Sequence, residues 1–547
     1  MIKQRRTASI CLLAAVLFLG GRIDACTSLL VTKGASADGS VMITYTCDGE
    51  FHPHLEYTPA ADHKPGDSVE IKDWGGSIRG MVAQAEHTHA VVHLMNEHQL
   101  VVGETTFDGR KELKNPDGLL HYWDLMTLAL ERARTAREAI QVMTDLVAEY
   151  GYRSTGESIS IADPDEAWIL EIIGPGPGGT GAEWVAVKVP DGYISAHANK
   201  ARIGEFPLDD PDNCLYSDNV ISFAVEKGYY DPTSGEPFRY CDAYCPETPE
   251  NLRFCEARVW SLFRRAAPSE NFSPAYHRAV KGAEPYPLWI KPDKKLSLSD
   301  VFDLMRDHYE GTEFDLTKNV DAGPYGSPYR WRPLKWTVDS VQYGWERAIS
   351  TQQTGFSFVS QSRSWLPDPV GGVLWYGVDD TYMTCYVPLY CGIDTVPRPY
   401  TVGELGEFSW ESAWWVFNFV SNFANLAYSF MMPEIQAVQS ELEDVCIIEQ
   451  PVIDETALKL YKSDPGRAAV YLTNYSVGQG ERVVRRWREL GERLITEYND
   501  GYMKNEEGRP KDKGYPECWL KEVIKDNPDK YHLPQADSLT ADWKLID

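Results

Sequence analysis

Basic side chains are in short supply. The 547 residues hold 53 Lys and Arg against 81 Asp and Glu, a formal charge of −28. A field of that sign repels nucleic acid and anionic lipid, so neither is an expected partner. Long apolar runs are missing too. "ICLLAAVLFLGG", Ile10 to Gly21, falls short of the roughly 18–20 residues that cross a bilayer, and no later segment approaches that length, which excludes a membrane span. There is no G-x-S-x-G elbow, no P-loop and no H-E-x-x-H. "GPGPGGTG", Gly174 to Gly181, has neither Lys-Ser/Thr nor a helical pattern after it and reads as a hairpin loop. No C-x-x-C occurs: Cys241 and Cys245 are one residue too far apart for a redox pair, and no second Cys/His pair completes a zinc site. No internal repeat or low-complexity tract appears, and 17 Trp and 30 Tyr argue against disorder.

What is present begins with a leader. "KQRR" before the apolar run has the form of a secretory signal, so residues 1–25 are expected to be removed and the protein exported, to the bacterial periplasm or outside the cell. That leaves ten cysteines. Export permits disulfides, and Cys214, Cys241, Cys245 and Cys255 cluster, so one or two bridges there stand as an alternative to free thiols.

Short β-branched runs, Thr27–Val31 and Val41–Tyr45, flank a Gly/Asp/Ser link suited to a hairpin. Ala90–Met95 and Leu100–Gly103 read as two further strands around a turn at Asn96-Glu97-His98. Leu119–Glu149 carries apolar residues at helical spacing. Strands return at Ser158–Ala162, Ala167–Ile173, Glu183–Val189 and Tyr193–His197. Beyond about 215 the chain turns helical and irregular, with a β-like patch over 371–390 and helical spacing from about 433 to the end. Alternating blocks of this kind predict an α+β class with sheets covered by helices. The expected division is a catalytic domain over 26–432 and a mainly helical extension over 433–547.

Two clusters invite chemistry. His87, His89, His93 and His98 lie within twelve residues of one another, and an H-x-H pair can hold a metal, but no third ligand is fixed; the reading is surface histidines, with no metal and no other cofactor. The other is Cys26. If the leader is cut after Ala25, Cys26 carries a thiol and a free α-amine. An α-amine of pKa about 7.7–8.0 is neutral enough near pH 8 to take the thiol's proton. A nucleophile with its own base needs no histidine.

Six segments, "CTSLLVTKGASADGSVMITYTCDG", "MNEHQLVVGETT", "LALERARTAREAIQVM", "ADPDEAWILEI", "EWVAVKVPDGYISAHANKARI" and "AGPYGSPYRWRP", run in order from Cys26 towards residue 430. Together they resemble the PepD-type cysteine dipeptidases, N-terminal-nucleophile hydrolases related to the choloylglycine and penicillin V acylases. The resemblance implies a four-layer αββα sandwich, here with additional C-terminal helices, and metal-independent hydrolysis of dipeptides or short peptides. It implies Cys26 as nucleophile, Asp48 as an acid near its amine, Asn199 as an oxyanion-hole donor, Thr106 as a second polar group and Arg258 as a cation near the nucleophile. Glu104, beside Thr106 in "GETT", and Tyr45 are expected to face substrate. Tyr45 is a departure: the family's usual arginine stands before the acid, and its loss removes a cation that would lower the thiol pKa. Either Arg258 compensates or Tyr45 shapes the pocket. Two alternatives remain: an amidase on a non-peptide acyl amide, or a lipid-anchored binding protein acylated at Cys26. Self-association is neither required nor excluded.

Overall fold

The computed structural model describes residues 26–533; the expected leader lies outside them. The run after Cys26 forms strand β1, Ser28–Val31, every residue of it buried, and the Gly/Asp/Ser link turns it back into β2, Met42–Asp48. The two pair antiparallel, with Leu30 opposite Ile43. They form the middle of a seven-stranded sheet in the order 289–290, 194–197, β1, β2, 354–361, 373–378, 387–390. An eight-stranded sheet runs 214–216, 183–188, 167–173, 156–162, 101–107, 95–96, 91–92, 57–58. Strand Val101–Phe107 packs over β1 and β2, so the sheets face each other. At that crossing a Cβ on Gly103 would come within 3.0 Å of the Tyr45 Cβ, so a larger residue would push the layers apart.

Helices α1, Tyr122–Arg132, and α2, Ala136–Tyr150, lie against strands of the eight-stranded sheet. Their apolar residues sit at helical spacing, and Thr135 starts α2 by accepting the Glu138 N–H. Ala257–Ala266, Ala413–Ala424, Tyr428–Ser463 and Pro465–Glu497 contact strands of the seven-stranded sheet. Covering both sheets explains why Gly156–Ala162 and Thr354–Gln361 are buried at every position. The class is α+β, as expected. Among the described residues, no helix is long and apolar enough to cross a membrane.

Several expectations need correction. The strand expected over Ala90–Met95 is two two-residue strands, Val91–Val92 and Met95–Asn96, because the chain turns at His93 with φ 56°. Strand Thr354–Gln361, next to β2, falls in a stretch read as irregular. The long helix starts at Tyr428 and runs through residue 433, and a small hairpin, Met503–Lys504 with Pro510–Lys511, interrupts the expected terminal helix. No bridge forms among Cys214, Cys241, Cys245 and Cys255; all ten cysteines described are free.

His197 ties the sheets together. Its Nδ1 lies 2.7 Å from Thr105 Oγ1 and its Nε2 2.7 Å from Ser160 Oγ. Burial holds its pKa down, at about 3, so the ring is neutral. The unfolded chain, with a His pKa near 6.5, takes up the proton first. This residue's contribution is therefore intact above pH 6.5 and is lost as pH falls towards 3, at most ~1.4 kcal/mol per pH unit. A His197→Gln protein should accordingly lose stability less steeply than wild type over that window; urea midpoints measured in parallel would test this, and equal slopes would refute it.

Candidate active site

Register sets the surroundings of Cys26. Ser28 pairs with His197 across one edge of β1, and continuing that pairing by two residues sets Cys26 opposite Asn199. Across the other edge Thr27 bridges Thr46, which sets Cys26 opposite Cys47. Asn199 follows the end of its strand in left-handed backbone, φ 60°, a conformation asparagine tolerates. Its Oδ1 accepts the Cys26 N–H at 2.9 Å and Arg258 Nη2 at 2.9 Å. Two donors on that atom fix the carboxamide's orientation, and Nδ2 then donates to the Thr106 carbonyl at 2.6 Å.

Arg258, on the buried helix Ala257–Ala266, clamps the same residue from behind. Nη1 donates to the Cys26 carbonyl at 2.6 Å and Thr27 Oγ1 at 2.9 Å, Nη2 also to the Ala198 carbonyl, and Nε to the Phe254 carbonyl. Its donors thus serve oxygens and hold the Cys26 main chain rather than its sulfur. The thiol is not acidified: contact with Cys47, burial and the charge of Glu104 push it well above its ordinary value.

Sγ lies 3.7 Å from Glu104 Oε1 and 3.9 Å from Tyr45 Oη. Tyr45 is fully buried, its ring edge-on to Phe356 and Phe358, and its hydroxyl donates to Glu104 Oε1 at 2.5 Å. Thr106 Oγ1 donates to Glu157 Oε1 at 3.1 Å. The Cys26 N–H is thus taken by Asn199, while Asp48 uses its oxygens elsewhere: Oδ2 accepts from Arg347 at 2.5 Å and Oδ1 from Thr354 at 2.6 Å. Asp48 nevertheless lines the same cavity, of about 1180 Å³, as Cys26, Cys47, Glu104, Thr106 and Asn199. Glu157 and Arg347 were not singled out from the sequence; both are buried ionisable side chains, 131 and 321 residues further along than Cys26, with no local motif to mark them.

The four histidines divide. His93 is half-buried, edge-on to Phe356 and Tyr376, and lines the cavity, with its pKa lowered to about 3 by desolvation. His87, His89 and Glu97 bring ligand atoms within 4.8 Å of one another, a grouping that could take a metal ion, and His98 Nε2 lies 3.3 Å from His89 Nδ1.

A cavity of mixed polar and apolar lining, with a thiol, carboxylates and a clamped main chain at its wall, is the layout of a hydrolytic enzyme, and comparison with known proteins agrees. The model of peptidase family C69 matches residues 25–441. The chain belongs to that family, and its class is that of a peptidase, a hydrolase of peptide bonds. Among its relatives are a probable dipeptidase of Salmonella dublin, 28% identical over 412 residues that cover 71% of this chain and 86% of the relative. A probable dipeptidase of Latilactobacillus sakei is 25% identical, covering 72% and 80%, and a dipeptidase of Bifidobacterium longum (strain NCC 2705) is 25% identical, covering 68% and 72%.

Proposed function

We propose that this protein is an exported, metal-independent dipeptidase whose nucleophile is the Cys26 thiol and whose general base is the α-amine that leader removal creates on the same residue. The names of its relatives support dipeptides as substrates. The observation that carries the reading is the hold on residue 26: its nitrogen lies on Asn199 Oδ1, its carbonyl on Arg258, and its thiol at the wall of the cavity. Two facing sheets with helices outside both support reading the fold as the N-terminal-nucleophile sandwich.

The amine takes the Sγ proton, directly or through one water, and the sulfur forms a bond to the peptide carbonyl carbon. The tetrahedral oxyanion is stabilised by backbone N–H groups and the Asn199 carboxamide nitrogen, a type of interaction worth about 2.7–4 kcal/mol. The ammonium returns its proton to the leaving amine as the C–N bond breaks. Water, deprotonated by the same amine, then cleaves the thioester, and the carboxylic acid leaves with Sγ reprotonated. Arg258 acts by positioning; Asp48 with Arg347 supports the wall behind it.

The thiol's raised pKa gives this mechanism a signature. Sγ remains protonated near neutrality, so kcat/KM should rise with pH through the amine's titration, about 7.7–8.0, rather than through a thiolate limb below pH 5. A pH–rate profile that is flat from pH 5 to 9 would rule the amine out as base. The N-terminus itself is the direct test. Intact mass of the mature protein should correspond to a chain starting at an unmodified Cys26. A diacylglyceryl adduct there would block the amine and overturn the reading in favour of a lipid-anchored protein.

A further inference from the structure

Glu104 has no place in the mechanism above, and its charge works against it. A carboxylate 3.7 Å from Sγ opposes thiolate formation, and it is one of the causes that raise the thiol. Behind it lies a second acid. Glu104 and Glu157 are both 0% exposed, on adjacent strands of the eight-stranded sheet. Thr106 Oγ1 bridges them, 3.1 Å from Glu157 Oε1 and 3.5 Å from Glu104 Oε2. Ser154 Oγ donates to Glu157 Oε1 at 3.4 Å, while Glu157 Oε2 has no donor. Among the described residues no Lys, Arg or His forms an ion pair with either acid. Two buried carboxyls in contact cannot both ionise without a cation. Burial raises both, Glu157 further through the charge of Glu104.

Substrate geometry supplies the cation. A carbonyl carbon poised for attack sits about 3–3.5 Å from Sγ. The α-nitrogen of the residue bearing that carbonyl is two bonds away, within reach of an oxygen itself 3.7 Å from Sγ. A free α-ammonium there brings donors for Glu104 and a positive charge for the pair.

We propose that Glu104, backed by Glu157, is the subsite for the free α-ammonium of the peptide's first residue, so that cleavage falls after that residue and peptides blocked at the N-terminus are rejected. The proposal rests on the reading of Cys26 as the nucleophile. Binding of the ammonium expels the proton shared by the two acids to solvent. Tyr45, whose hydroxyl is held by Glu104 Oε1, orients the carboxylate, which gives the residue that replaces the family's arginine a role in substrate selection.

The test compares an unblocked dipeptide, Ala-Ala, with its N-acetyl form. Wild type should strongly prefer Ala-Ala. In Glu104→Gln, whose amide oxygen can still accept from Tyr45, the ratio of kcat/KM on free to acetylated substrate should fall about 100-fold. Glu157→Gln, one layer behind, should move the ratio the same way by less, and it keeps the test alive if the first variant fails to fold. The ratio cancels any general effect of Glu104 on thiol acidity, because both substrates meet the same sulfur. A wild type that cleaves both forms equally, or variants that slow both equally, would overturn the subsite while leaving the Cys26 reading intact. A wild type inactive on both would be a failure of the Cys26 reading, and of the subsite with it.

Discussion

Cys26→Ala should bring dipeptide hydrolysis to background, a loss of at least about 10⁴-fold, because it deletes the atom that bonds to the carbonyl carbon. Folding should be little affected. The sulfur's contacts with Glu104 and Tyr45 are long, at 3.7 and 3.9 Å, whereas the bonds that fix residue 26 run through its backbone nitrogen and oxygen and survive the substitution. Cys26→Ser is the sharper variant. It keeps the amine, the backbone bonds and a nucleophilic oxygen, but a hydroxyl is far less acidic than a thiol, and the amine is too weak a base to ionise it to a comparable extent. Release of free amino acids from dipeptides, measured on protein shown by mass to begin at residue 26, provides the check. Full turnover in either variant would sink the mechanism.

Arg258→Met should be the most damaging substitution away from the nucleophile. The guanidinium joins Cys26 and Thr27 ahead of β1, the end of strand Ile194–His197 through Ala198 and Asn199, and the Phe254 carbonyl ahead of its own helix. Removing it strands buried acceptors in three segments. A loss of about 3–5 kcal/mol is expected, seen as a lower melting temperature. Activity should fall by 10²-fold or more even where the variant is fully folded, since the nucleophile's residue loses the bond on its carbonyl and Asn199 one of the two donors that orient it. Arg258→Lys keeps the charge but not the fork that spans these acceptors, so it should recover stability better than rate. Calorimetry alongside kcat/KM would decide. A Met variant with wild-type melting and wild-type kcat/KM would show that the clamp has no function.

The parts of this molecule that were legible in its sequence are those decided by neighbours in the chain. Ala167–Ile173 is a run of apolar and β-branched residues between turn residues, and it forms the strand over those bounds. The break between α1 and α2 lies where Thr135 can cap, inside a stretch whose spacing was plainly helical. Thr354–Gln361 was missed although Phe356 and Phe358 alternate with Ser357, because Ser360, Gln361 and the glycine at 355 dilute the pattern of a strand buried on both faces. At the site, Cys26, Asn199 and Arg258 were singled out through the motifs of the resemblance, and the structure brings the three into contact. Their contacts were not legible in the sequence, because which amide atom of Asn199 faces Cys26 is settled by Arg258, 59 residues further on. The partner of Asp48 is Arg347, 299 residues away, in a region without periodicity. Glu157 reads locally as one polar residue in a strand; only the pairing of Gly156–Ala162 with Val101–Phe107 brings it beside Glu104.

The placement of a carboxylate and a second thiol beside Cys26 also bears on how the enzyme survives where it works. Oxidants and alkylating agents react with thiolates, at sites that are exposed and electropositive. Cys26 is 3% exposed, faces an acid, and keeps its proton. Its resting form is thus chemically quiet. Under the proposed mechanism, the surroundings that leave Cys26 dependent on its own α-amine for activation are the same ones that protect it from sulfenic acid formation between turnovers.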